Sequence, residues 1–180
     1  MIRKIVISCG VLLCALFCSA ASALEFKLPF QPRQLADNAK QQGLPDGVEI
    51  DAELDALKIS VPAGISVDEP VTMEHVVNIP SQAAGKVVTF KIKVSASRFR
   101  FDSGNAGDAS VTLAGKSIRI PQGSYSWRVL TFKNVKCPAD RKLKIVVTAR
   151  NFSGTLKLKE PTAQMDISPA AYRNRKRKKK

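Results

Sequence analysis

The sequence predicts an all-β fold, a single antiparallel β-sandwich of about eight or nine strands. Residues 86–96, KVVTFKIKVSA, form the longest clean period-two pattern in the 180-residue chain. Val88, Phe90, Ile92, Val94 and Ala96 point one way, and Val87, Thr89, Lys91, Lys93 and Ser95 the other, which suits a central strand with one face on a core. Shorter runs of the same kind recur between turn clusters. No long helical pattern competes with them, and short strands at this spacing indicate a sandwich.

The first 26 residues, MIRKIVISCGVLLCALFCSAASALEF, set Arg3 and Lys4 ahead of an apolar run and then small residues. This is the pattern of a secretory signal peptide over residues 1–23, cleaved after Ala23, because Ala21 and Ala23 stand where a signal peptidase reads small residues. The expected localisation is secreted, extracellular or periplasmic. No later stretch reaches the roughly 20 apolar residues of a membrane helix, so no transmembrane segment is expected. Cys9, Cys14 and Cys18 leave with the signal and only Cys137 remains, so an internal disulfide framework is impossible. Cys137 then reads either as a small buried residue before Pro138 or as half of an intermolecular disulfide.

Residues 24–42, with Pro29, Pro32 and a polar LADNAKQQ run, read as an extended arm or linker. The sandwich domain is expected over residues 43–160. Gly43-Leu44-Pro45-Asp46-Gly47 makes a turn into a strand at Val48, and Leu57, Ile59 and Val61 alternate with Lys58 and Ser60 before Pro62 breaks the run. Val71, Met73, His75, Val77 and Ile79 share one face of the next strand. Past Ala96 the phase changes, since Phe99 and Phe101 are odd-numbered where Phe90 and Ile92 are even. A one-residue slip flips a strand's faces, so residues 95–98 must hold a bulge, bend or loop. Residues 102–108, DSGNAGD, are a loop by composition. Strands follow at 110–113, 117–120, 127–132, 143–149 and 155–159, and residues 161–180 read as a disordered basic tail.

Charge is unevenly spread over this plan. Residues 24–78 carry ten acids and four bases, residues 79–172 sixteen bases and five acids, and residues 173–180 seven bases and no acid. Arg173, Arg175, Lys176, Arg177, Lys178, Lys179 and Lys180 are therefore candidate polyanion contacts, acting through counterion release. After export, their partner is expected to be an anionic cell-surface polymer or lipid headgroups rather than nucleic acid.

Four stretches together, GLPDGV from residue 43, VTMEHVVNIPSQAAGKVVTFKIKVSAS from 71, GSYSWRVLTFKNV from 123 and RKLKIVVTARNFSGTLKL from 141, resemble the β-jelly-roll carbohydrate-binding modules, the galactose-binding-like sandwiches attached to secreted glycoside hydrolases. The resemblance implies a jelly roll and a non-catalytic glycan-binding role, and it implies that the Trp opening the later strand packs at the edge of the core. An Asp-Asn pair that in the family closes a structural calcium site has no counterpart in GTLKLK at 154–159. No metal or cofactor is expected.

Sugar recognition needs aromatic rings for the apolar faces of pyranoses and polar groups for the hydroxyls. Tyr125, on the turn side, reads as the better exposed aromatic, with Trp127 beside it in the alternation. Asp102, Asn105 and Asp108 of the loop are the candidate polar groups. His75 is the only histidine, among apolar residues, and reads as a satisfied core or edge side chain. With no second His or partnered thiol, zinc sites and Ser-His-Asp or Cys-His nucleophiles have no basis. The acids over residues 46–55 read as a solvated edge, and catalysis is not expected. Asn151-Phe152-Ser153 is the only glycosylation sequon, at a predicted turn. The function implied is a secreted, non-catalytic carbohydrate-binding protein; the alternative is a structural or adhesion protein of the cell envelope whose basic tail docks to an anionic surface.

Overall fold

Alternating apolar segments pair into two antiparallel sheets in the computed structural model, which describes residues 23–65, 67, 69–102 and 107–166. The strands are β1 (Ala23–Lys27), β2 (Glu49–Glu53), β3 (Ala56–Val61), β4 (Val71–Asn78), β5 (Val87–Phe101), β6 (Asp108–Leu113), β7 (Lys116–Arg119), β8 (Gly123–Lys136), β9 (Lys142–Arg150), β10 (Phe152–Lys159) and β11 (Thr162–Asp166). One helix, α1 (Pro32–Gln42), precedes β2. The small sheet runs β4-β9-β6-β7. The large sheet has seven strands and is built on β5. Along one edge β5 pairs with β8, from Val87↔Lys136 to Phe99↔Gly123. Along the other it pairs with β10 and β11 in turn, the break between them lying at Glu160-Pro161. From there the two paths diverge, β10 pairing with β3 and then β2, and β11 with β1.

This places 86–96, as its alternation predicts, at the centre of the fold. Val88, Phe90, Ile92 and Val94 are buried, and Phe90, Phe99, Phe132 and Phe152 are among the largest fully buried side chains. The predicted irregularity is a bulge rather than a chain break. Arg98 has φ 52°, and the strand runs through it to Phe101, returning Phe99 to the core.

Several expectations fail in an instructive way. The chain has eleven described strands, not eight or nine. Residues 24–42 are not an arm. β1 pairs with β11, and α1 buries Leu35, Ala36 and Ala39, whose spacing makes one narrow helical stripe after Pro32 has set the first turn. Nor is the tail boundary at 161. Thr162–Asp166 is a strand, held between β1 and β5, so the folded unit spans Ala23–Asp166. Both errors share one cause, because neither short segment alternates strongly enough to be read without its partner. Residues 1–22 of the expected signal peptide and residues 173–180 lie outside the described residues. Among the described residues, no helix is long and apolar enough to cross a membrane.

Candidate functional site

The outer face of the large sheet follows from registers that repeat across it. Asp51 lies opposite Lys58, Lys58 opposite Lys157, and Lys157 opposite Ser95. One row along, Lys93 lies opposite Val129 of β8, and the β10 pairing with β5 ends at Leu158↔Val94, one residue before Lys159. Small hydroxyls and lysine stems thus tile this surface, with Asp51 and Glu53 on the β2 edge and Glu25 on β1 at the other.

Trp127 reaches that surface because of a bulge. Val94 pairs with Arg128 and Ala96 with Tyr125, so Ser95 alone opposes both Ser126 and Trp127. Val94 and Ala96 face the core, and the two residues paired with them turn the same way. Tyr125 is half-buried against the core, its hydroxyl donating to the Pro121 carbonyl at 3.0 Å, and the Arg128 guanidinium lies 4.4 Å from its ring centre. Burial pushes the Tyr125 phenol above its usual range, and the Arg128 charge partly offsets this. Trp127 projects to the opposite, outer face, where it is 39% exposed beside Val129 at 50%. The Lys159 ammonium lies 4.7 Å from the Trp127 ring centre and is itself held by Asp55 at 3.0 Å. That hydrogen bond holds the Asp55 carboxyl below the usual carboxylate range.

The expected order of the two aromatics is therefore reversed. Period two puts Tyr125 and Trp127 on one face with Tyr125 outermost; the extra residue in β8 separates them, ties Tyr125 down and exposes Trp127. Tyr125 is also inside β8, not in the turn before it.

Two of the three polar candidates, Asp102 just after β5 and Asp108 at the start of β6, lie among the described residues. Asp108 opens β6 and pairs with Arg119 at 3.1 Å, and Arg119 in turn donates to the Gly107 carbonyl and lies 5.2 Å from the Phe101 ring centre. Phe101, Arg119, Ile120, Pro121 and Gln122 line an open cleft of about 370 Å³ beside it. The Asp102 amide donates to the Asn151 carbonyl at 2.9 Å. Asn105 lies outside the described residues. Asn151 is 8% exposed with φ 47°, and its Oδ1 has no partner among the described residues, so the sequon amide is turned inward rather than presented at a turn.

His75, on β4, stands edge-on to Phe30 with ring centres 6.1 Å apart, its Nε2 3.4 Å from the Pro29 carbonyl oxygen, as expected for an edge histidine. Cys137 is 2% exposed, the burial expected of a small core residue before Pro138, and burial also pushes its thiol up. Among the described residues, no group of three or more His, Cys, Asp or Glu side chains is placed to hold a metal ion. Lys159 and Lys93 escape a reading of the sequence because cross-strand register alone makes them neighbours of Trp127, whereas Val129 shares its face two residues along β8; outward alternation at Lys91 and Lys93 was the one signal available.

No protein-family model matches the chain, and no curated protein sequence matches it. The solved structures to which the fold is similar are mostly carbohydrate-binding modules. TmCBM61, solved with beta-1,4-galactotriose, is 12% identical at a TM-score of 0.40, the match covering 65% of this chain and 81% of that one. The module CBM6cm-2 of Cellvibrio mixtus lichenase 5A, solved with cellotriose, is 16% identical at a TM-score of 0.39, covering 71% of this chain and 93% of that one. The enzymatically active domain of bacteriophage CBA120 tailspike protein 4 is 8% identical at a TM-score of 0.43, covering 79% of this chain but 19% of that one. The two-sheet sandwich itself is established by the chain's own strand pairing.

Proposed function

We propose that the chain is an exported, non-catalytic glycan-binding protein that takes sugar on the outer face of the large sheet, with Trp127 as the stacking platform. The observation that carries this reading is an indole turned outward by a bulge and left 39% exposed, next to a second exposed apolar side chain and a row of small hydroxyls. The apolar face of a pyranose stacks on an indole, and Ser95 and Thr131 offer hydroxyl partners on the same face. The acids nearest this surface support a binding role over a catalytic one. Glu53 is paired with Lys157 and Lys58, and Asp55 with Lys159, which holds the Asp55 carboxyl down, whereas a general acid needs its carboxyl raised.

The test is retention on a panel of neutral and acidic polysaccharides at low and high salt. Three forms are compared: the full chain, a chain ending at Tyr172, and Trp127→Ala. Retention that survives truncation and salt but is lost in Trp127→Ala is the expected result. Equal retention by Trp127→Ala refutes the reading. The alternative, an envelope protein anchored by its tail, is favoured by the seven bases in residues 173–180 and requires that binding be confined to anionic matrices and vanish at Tyr172.

A further inference from the structure

Resting on the glycan reading of the Trp127 face, we infer that the face selects sugars whose ring carries an anionic group, a carboxylate or a sulfate, and that Lys93 is the residue that binds it. Five lysines project outward from β3, β5 and β10, and four of them are committed. Lys58 and Lys157 share Glu53, Lys159 pairs with Asp55, and Lys91 donates to Gln164 Oε1 at 3.2 Å. Lys93 is exposed and has no acid or hydrogen-bond acceptor among the described residues. Its neighbours on the face make this unusual. Lys91 stands two residues away on the same strand, and the β10 pairing with β5 ends at Leu158↔Val94, one residue before Lys159. Like charges side by side across a sheet are destabilising unless an anion joins them.

The acids paired with lysines of this face, Glu53 and Asp55, come from the β2 side and reach as far as β10. At β5 the supply ends, leaving a positive seat at Lys93, directly opposite Val129 and two residues of β8, about 7 Å, from Trp127. An aromatic platform with an uncompensated ammonium at that spacing matches a sugar presenting an apolar ring face and a negative substituent. A neutral sugar would use the platform and leave Lys93 unpaired. Charge-assisted hydrogen bonds to such a substituent are stronger than those to a hydroxyl, and an exposed site supports a preference on the order of tenfold.

Trp127 is the only tryptophan in the chain, so intrinsic fluorescence reports the platform directly. The full chain is titrated with trigalacturonate, with its fully methyl-esterified form, and with a sulfated neutral trisaccharide, at near-physiological salt. The expected result is about tenfold tighter binding of at least one anionic sugar than of the ester. Lys93→Ala and Lys93→Gln bring it to the ester's affinity without changing the ester's own, and Lys142→Ala on the small sheet leaves both unchanged. The carboxylate and sulfate arms distinguish which anion is preferred. Equal affinity for acid and ester, with no effect of Lys93, overturns the inference and leaves the glycan reading intact. Equal weakening by Lys93→Ala and Lys142→Ala overturns it in favour of net charge. A fluorescence change with phosphatidylglycerol vesicles and none with any sugar overturns both readings in favour of a membrane surface.

Discussion

Gly154 is the position where one methyl group should cost the most. It has φ +93°, and it opposes the Arg98 bulge where the β10–β5 register shifts. A Cβ placed there would press on the Arg98 carbonyl oxygen, and would lie 2.5 Å from its carbon and 2.8 Å from the Phe99 nitrogen. All three atoms are backbone of the central strand and cannot rotate away. Gly64 is the control, with φ +88° and nothing within 4 Å of the same added atom. Forcing an L-residue into positive φ costs about 1 kcal/mol, the whole effect expected for Gly64→Ala. At Gly154, overpacking against a strand adds about 1–3 kcal/mol, so Gly154→Ala should lose about 2–4 kcal/mol. For a domain of this size that is a fall in Tm on the order of 10 °C, against about 4 °C for Gly64→Ala. Urea unfolding followed by Trp127 fluorescence should show the midpoint falling with the slope unchanged. If the two variants unfold within about 0.5 kcal/mol of each other, the close approach of β10 to the β5 bulge is wrong.

Three further outcomes follow from the same geometry. The Cys137 thiol should be unreactive to a thiol reagent in the native protein and reactive in denaturant. Because burial raises its folded pKa, its contribution is intact below the ordinary thiol range near pH 8.5 and is lost as pH rises, when the unfolded thiol ionises first; Cys137→Ala should flatten that alkaline slope. Asn151→Gly keeps the left-handed backbone and removes a buried oxygen that has no partner among the described residues, so stability should hold or rise, whereas Asn151→Ala should lose about 1 kcal/mol in chemical denaturation. Lys116 Nζ donates to the Lys133 and Asn134 carbonyls at 2.7 and 2.8 Å, tying β7 to β8. Lys116→Ala should cost about 1 kcal/mol and speed amide exchange around Asn134 and Val135 more than at Leu130.

How much was legible in the chain depends on where the physical signal resides. Strand identity is local. The alternation of residues 86–96 is written in consecutive side chains, and the phase change at Phe99 called for a bulge, bend or loop over residues 95–98, which strand pairing then made a bulge. Residues 24–42 and 162–166 carried too little of that signal. β1 and β11 exist because each completes the other's hydrogen bonds beside β5, and α1 because a three-residue apolar stripe found a core to cover.

The site divides in the same way. Composition and residue order alone indicated that aromatic contacts would come from very few residues and that the basic excess would lie in the second half of the chain. Which aromatic is presented was decided only by the tertiary structure, because a single extra residue in β8 opposite Ser95 inverts the faces of Tyr125 and Trp127. Which lysines of this face gain a counter-ion was also decided there. Register across β2, β3, β10 and β5 distributes Glu53 and Asp55 to Lys58, Lys157 and Lys159 and stops short of Lys93. Pairings between residues about a hundred positions apart leave no trace in the order of either segment; they exist only once loop closure brings the strands together.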